Sequence, residues 1–318
     1  MLTGEQRDRA LGAVLASAVG DALGAPYEFQ PPVAAGAPIE FRSSAEFARA
    51  EWTDDTSMAV PILQTISRGR RLDDAGVLAT IVGEWIGWAR EARGIGAQTK
   101  AVLSGIRHVT EDDARAAARA VHEQAGHSAG NGSLMRTGPV ALAYLGDDDQ
   151  AASALAAAAR RVSELTHYET DAGDACVVWS LAIRSAILTG RAELRAAVDT
   201  LPADRAALWH ARLDTAEAVL PWQLADNNAW VVGALEAAWS AVTHSDSLTD
   251  ALTLAVRAGN DTDTVAAIAG SLAGAVYGAS ALPADWVEPL HGWPGDEFRT
   301  FGAAELTELV EQALAATG

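Results

Sequence analysis

Residues 265–276 read Val-Ala-Ala-Ile-Ala-Gly-Ser-Leu-Ala-Gly-Ala-Val, and they decide the fold. Val265, Ile268, Ala269, Leu272 and Val276 recur at helical spacing. The residues between them are only Ala, Gly and Ser, so no charged face is left for solvent and the helix must be enclosed. Side chains this small let helix axes approach toward the low end of the usual ~8–10 Å spacing. The stretch therefore predicts a central helix closely packed on all sides.

The same period runs outward through the chain. Leu11, Val14, Leu15, Ala18, Val19 and Ala22 carry it near one end, and Leu306, Leu309, Val310, Ala313 and Leu314 near the other. Further helical stripes span Met58 to Ile66, Val77 to Trp88, Ala151 to Leu165, Ala172 to Leu188, Leu208 to Val219 and Trp230 to Val242. No convincing alternation of period two appears. Alanine makes up about a fifth of the chain, and it is the best helix former. The expected architecture is all-α, with roughly ten or more helices. No repeat and no clean linker divides the chain, so residues 1–318 are read as a single compact orthogonal multi-helix domain. The tryptophans at 85, 88, 209, 230 and 239 lie on apolar stripes and are expected in the core. The longest irregular piece runs from Gln30 to Glu51. At about 20 residues it is long for an inert loop, and it is expected to act as a lid on the acceptor side. A second loop is expected from Leu282 to Arg299, around Trp293.

Composition excludes several classes. The 318 residues are 49% hydrophobic and 20% charged, with a net charge of −19, which is globular and acidic. Long-range attraction to nucleic-acid phosphates or anionic lipid is disfavoured. The single Cys176 excludes a disulfide framework and a Cys-rich zinc site. Met1 to Ala10 has no apolar h-region, and no uncharged apolar run reaches about 18 residues. A soluble, cytoplasmic protein is expected.

Two acidic segments precede apolar stripes. One is Trp52-Thr53-Asp54-Asp55-Thr56-Ser57-Met58, the other Asn260-Asp261-Thr262-Asp263-Thr264-Val265. Taken alone, each reads as a helix start, capped by a hydroxyl or carboxylate with acids against the macrodipole. Together they put hard oxygen ligands at the entry of two helices. If those entries face one another, four carboxylates crowd a small volume, and repulsion would load protons onto them or open the site. Mg²⁺ or Mn²⁺ would relieve this, since hard cations prefer oxygen. Two ions a few ångströms apart fit the supply.

Three further segments carry weaker signals. Gly20-Asp21-Ala22-Leu23-Gly24-Ala25-Pro26-Tyr27-Glu28-Phe29 ends a helix and places Glu28 between two aromatics, a setting suited to acid–base work. Gly130-Asn131-Gly132-Ser133-Leu134-Met135-Arg136 is a Gly-x-Gly turn, expected to open a helical run, whose amides can cradle a phosphate. It has neither a P-loop ending nor a preceding strand. Leu165-Thr166-His167 precedes an Ala-rich helix. No His-x-x-x-His pair exists.

In this order, from Gly20 to Gly278, the five segments resemble the ADP-ribosylglycohydrolases, or ADP-ribosyl-acceptor hydrolases. The resemblance implies an all-helical domain with a cleft holding two divalent cations, Mg²⁺ or Mn²⁺. Thr53, Asp54, Asp55, Asp261, Asp263 and Thr264 match the metal ligands. Glu28 matches the carboxylate over the metals, implicated in catalysis together with Asp55. Ser128, Gly130, Asn131, Gly132, Ser133 and Met135 match the loop around the diphosphate of ADP-ribose, and His167 matches a polar contact there. Gly259-Asn260 stands where the family often has Gly-Gly or Gly-Asp.

The implied activity is metal-dependent hydrolysis of the bond between ADP-ribose and an acceptor. ADP-ribosylated arginine or another protein side chain comes first, then a small-molecule conjugate. The acidic chain argues against bulk nucleic acid as substrate. Helix N-termini and Gly-loop amides are expected to hold the diphosphate. Two alternatives stay open: a non-catalytic ADP-ribose-binding or toxin-immunity module, and a phosphohydrolase releasing AMP. Retention of Glu28 with all six ligand positions favours the hydrolase.

Overall fold

The computed structural model describes residues 2–295 and 300–317. The chain runs through α1 (Gly4–Gly24), α2 (Asp54–Ser67), α3 (Ala75–Trp88), α4 (Ala97–Gly105), α5 (Glu111–Ala125), α6 (Asp149–Ser163) and α7 (Thr170–Thr189). It continues through α8 (Leu194–Val198), α9 (Ala203–Ala218), α10 (Val231–Thr243), α11 (Leu248–Val256), α12 (Thr262–Tyr277), α13 (Ala284–Val287) and α14 (Ala303–Thr317). Among the described residues there are isolated β-bridges but no strand.

α12 is buried from Thr262 to Ala275 and packs against α1, α7, α10 and α11. Its tightest partner is α1, antiparallel to it, and the reason is the absence of side chains at the crossing. A Cβ on Gly274 would stand 2.1 Å from the Gly12 carbonyl oxygen, and one on Gly20 2.2 Å from that of Ala266. One on Gly24 would stand 2.5 Å from the Asp263 backbone. The two backbones therefore touch along most of their length, and the last turn of α1 lies on the first turn of α12. The remaining helices bury Leu, Ile, Val and Trp around this pair.

Two helices are long and apolar enough to cross a membrane by length and composition, α1 with its following turn (Gly4–Tyr27) and α7. Their apolar windows are 83% and 78% buried inside the protein, so the core already uses those faces.

Each predicted stripe lies on a helix. Sequence periodicity missed α4, α5, α8, α11 and α13. In α5 only Ala114 and Ala118 supply buried apolar side chains, alongside buried Glu111, too little for a stripe. Two expectations are corrected. The run after Gly132 is not an α-helix but short 3₁₀ turns, Asn131–Ser133 and Gly138–Tyr144. Pro139, with its ring and missing N–H, blocks a longer helix there. Trp230 is half-buried, edge-on to His127 with ring centroids 5.7 Å apart, whereas Trp85, Trp88, Trp209 and Trp239 are core. The segment from Gln30 to Glu51 contains no helix, as expected. The second predicted loop contains α13, and its residues 296–299 lie outside the described residues.

Candidate active site

The two acidic helix starts meet. Thr53 Oγ1 lies 3.0 Å from Asp55 Oδ2 and 3.2 Å from Asp263 Oδ2, across 210 positions of sequence. Neither Thr53 nor Asp261 caps its own helix through its side chain. The cap of α2 comes from another helix. Asp21, fully buried in α1, accepts the Thr53 N–H at 2.8 Å, the Thr56 N–H at 2.9 Å and the Thr56 hydroxyl at 2.6 Å. With that job done by Asp21, Thr53 and Asp55 are free to turn toward Asp263.

Six carboxylates converge here, supplied by four short stretches of chain. Oxygens of Asp21, Asp55 and Asp263 lie within 4.8 Å of one another, and so do those of Glu28, Asp261 and Asp263. Asp263 belongs to both groups. Asp54 faces the adjoining cavity and accepts the Gly96 N–H at 3.3 Å. The Thr264 N–H donates to Asp263 Oδ1 at 2.9 Å. A 3₁₀ turn, Ala25–Tyr27, carries the chain from α1 to Glu28. Two residues in the left-handed region hold the edges: Phe29 (φ 57°) and Asn260 (φ 55°), joined by the Phe29 N–H donating to the Asn260 carbonyl at 2.7 Å. Gly259 also has positive φ, 81°, and a Cβ there would stand 2.6 Å from Pro32 N. The Gly259-Asn260 pair therefore meets a backbone demand, since Gly and Asn tolerate that region best.

The donor set fits hard cations. The Thr53 hydroxyl has one proton for two facing carboxylates, and buried Asp55 Oδ1 accepts no hydrogen bond. Burial, then the charges of Asp261 and Asp54, push Glu28 up to about 8. Burial, then Asp21, pushes Asp54 up to about 7. Burial holds Asp55 and Asp263 well above the carboxylate range, with Asp21 and Asp55 respectively the next cause. Asp21 and Asp261 are raised by burial too. Without a cation, then, the cluster holds protons near neutral pH. An oxygen-only, charge-dense set is what Mg²⁺ or Mn²⁺ prefers.

A cavity of about 900 Å³ opens above this floor. Glu28, Asp54, Asp261, Asp263 and Thr264 line one side; Gly130, Asn131, Gly132, Met135 and His167 line the other. Ser43 to Phe47, from the long irregular segment, form part of the rim. Among the described residues no Lys or Arg lines it.

Two of the expected loop contacts are not on this wall. The Ser128 hydroxyl pairs with His122 Nδ1 at 2.8 Å. The Ser133 hydroxyl is buried without a partner among the described residues. Neither serine lines the cavity. Asn131 faces the cavity, but its Nδ2 donates to Asp261 Oδ2 at 2.7 Å and to the Asn228 carbonyl at 2.9 Å. One donor steadies Asp261 and the other anchors the amide to the Asn228 backbone. A three-residue turn aligns too few peptide dipoles to make a macrodipole; loop amides, the start of α4 at Ala97 and His167 offer donors along the wall. Sequence reasoning quoted Asp21 without assigning it, although an acid amid the apolar residues of α1 was a visible signal. It missed Gln98, whose Nε2 donates to the Ser128 carbonyl at 2.7 Å, and Asn228; neither sits in a pattern.

Known proteins share this fold. A family model described as ADP-ribosylglycohydrolase matches residues 2–317. The chain belongs to the ADP-ribosylglycohydrolase family. It is similar to the ADP-ribosylarginine hydrolase Tri1 of Pseudomonas putida (strain GB-1), 32% identical over 299 residues, covering 90% of this chain and 76% of the relative. It is similar to the ADP-ribosyl-[dinitrogen reductase] glycohydrolase of Rhodospirillum rubrum, 29% identical over 289 residues, covering 89% and 90%. A solved structure titled ADP-ribosylglycohydrolase-related protein complex superposes with a TM-score of 0.74 at 28% identity, covering 99% of this chain and 100% of that one.

Proposed function

We propose that this chain is a metal-dependent glycohydrolase that cleaves the bond between ADP-ribose and an acceptor, with ADP-ribosylated arginine in a protein as the favoured acceptor. One observation carries the reading: two carboxylate groups share Asp263 beneath a cavity that Glu28 enters from the side. Family membership supports the hydrolase chemistry, and the names of the two relatives support arginine or another protein side chain.

In this reading Thr53, Asp55, Asp263 and Asp21 would hold one divalent cation, Mg²⁺ or Mn²⁺. Asp261, Asp263 and Thr264 would hold a second, with Asp54 alongside. Such ions supply Lewis acidity and keep the carboxylates ionised. The chain's own groups do the rest. Gly130 and Gly132 let the ligand backbone approach the loop, His167 meets an oxygen of the ligand, and Asn131 fixes Asp261. Water adds at the anomeric carbon and Glu28 takes its proton. The bond to the acceptor breaks, and the acceptor leaves carrying the proton that Glu28 gives up. Charge building on the ribose is stabilised by the carboxylate floor.

Chromatography of the products from an ADP-ribosylated arginine protein tests the proposal. Free ADP-ribose should appear with Mg²⁺ and disappear with EDTA. AMP as product would point to a phosphohydrolase, and binding without release to a non-catalytic module. Glu28→Gln should keep ADP-ribose binding and lose turnover by about 10²–10⁴-fold, the usual worth of general-base assistance. Full activity in that variant would remove Glu28 from the mechanism.

A further inference from the structure

Arg136 is the least explained group in the interior. It is 0% exposed, and no carboxylate pairs with it among the described residues. Its guanidinium lies 4.0 Å from the centroid of the Trp85 ring, Nη1 faces Met58 Sδ at 3.7 Å, and Nε has no partner. A buried cation without a counter-ion is costly, and an apolar side chain of similar volume would fill the space at lower cost. What the charge does there is therefore a question about its single strong bond. Nη2 donates to Thr166 Oγ1 at 2.6 Å.

Thr166 Oγ1 also lies 2.7 Å from His167 Nδ1. Arginine has no acceptor, so the threonine oxygen must accept from it. The hydroxyl proton then has one acceptor in reach among the described residues, His167 Nδ1. A ring nitrogen that accepts carries no proton, so the imidazole proton sits on Nε2. Burial, then the Arg136 charge, holds His167 well below its ordinary range, and the ring is neutral. Its Nε2 edge faces the loop on the cavity wall: Cβ atoms built on Gly130 and Gly132 would stand 3.5 and 3.3 Å from Nε2.

We propose that Arg136, acting through Thr166, is a positioning residue that locks His167 in the Nε2–H tautomer and makes it an obligate hydrogen-bond donor to a ligand oxygen in the cavity. In a cavity with no Lys or Arg among the described residues of its wall, a fixed neutral donor favours an oxygen acceptor and rejects a ligand N–H at that point. Only the identity of the ligand, ADP-ribose, rests on the proposed function; the tautomer does not.

Nitrogen-15 NMR of the full-length, histidine-labelled protein with Mg²⁺ tests this, with the His167 signals assigned by comparison with His167→Gln. The wild type should show an unprotonated Nδ1 and a protonated Nε2. Thr166→Val, close in size, should give a mixture of tautomers and bind ADP-ribose about tenfold more weakly, the loss of roughly one well-placed hydrogen bond. Thr166→Ser should restore both. A merely structural threonine would change the melting midpoint and leave the tautomer alone. Arg136→Met should mix the tautomers in the same way; if it does not fold, the Thr166 pair decides. A proton on Nδ1 in the wild type, or an unchanged tautomer in Thr166→Val, overturns the proposal. A wild type that shows the stated tautomer but binds no ADP-ribose removes the functional reading and leaves the relay standing.

Discussion

Asp263 and Asn131 show what single residues contribute at this site. Asp263 stands in both carboxylate groups, so Asp263→Asn should weaken Mg²⁺ binding more than Asp55→Asn; equal or unchanged affinities by calorimetry would contradict the shared role. Asn131 grips Asp261, and supports of this kind are worth about 10–100-fold in metal affinity. Asn131→Ala should therefore lower Mg²⁺ affinity within that range. If it lowered ADP-ribose affinity alone, Asn131 would be a ligand contact, as the family resemblance first implied. The six candidate oxygen donors were legible as a set because they sit at the starts of helices that the apolar stripes already located. A motif says which residues share a loop and not which way each points, so it did not foretell that Ser128 and Ser133 lie off the cavity lining. Asp21 escaped assignment because its role, capping α2 from α1, links elements that no local pattern connects.

Among the helices, the contact of α1 with α12 positions the chemistry. It lays Gly24 on Asp263 and so brings Asp21 and Glu28 beside a residue more than two hundred positions later. Gly270→Ala would put a Cβ 2.2 Å from the Ala16 carbonyl oxygen. Overpacking of this kind costs about 1–3 kcal/mol, sometimes more. The urea midpoint should fall accordingly, and a wild-type midpoint would show that the helices separate without penalty. The small-residue run at 265–276 announced a close crossing. It could not name the partner, because spacing reveals a face and not its mate. The 3₁₀ turns after Gly132 were hidden for the opposite reason, since apolar spacing there mimics a helix that Pro139 interrupts.

Across the whole molecule, the acidic floor couples stability to pH and to metal. Glu28 and Asp54 are raised to about 8 and about 7 from ordinary values near 4.5 and 3.8. A carboxylate raised in the folded state leaves that state binding more protons than the unfolded chain between the two values. Its penalty is absent below about pH 4, grows as pH rises, and is complete above the folded value. The metal-free protein should therefore lose stability between about pH 4 and pH 8, through these groups, and Mg²⁺ should flatten that slope by keeping them ionised. Thermal melts across this range with and without EDTA check it; a metal-independent slope would contradict it. The segment from Gln30 to Glu51 belongs to the same scale. It was visible as a loop too long to be idle, and its residues 43–47 border the cavity. Replacing them by a short Gly-Ser link should alter which ADP-ribosylated acceptors are cleaved, and an unchanged preference would deny it the role of lid.

Anomalous diffraction at the manganese edge, from crystals grown with Mn²⁺, bears most directly on the cluster itself. Two peaks flanking Asp263 are expected, one beside Thr53 and Asp55 and the other beside Asp261 and Thr264. An absence of peaks there, or manganese held by a different set of side chains, would contradict the account.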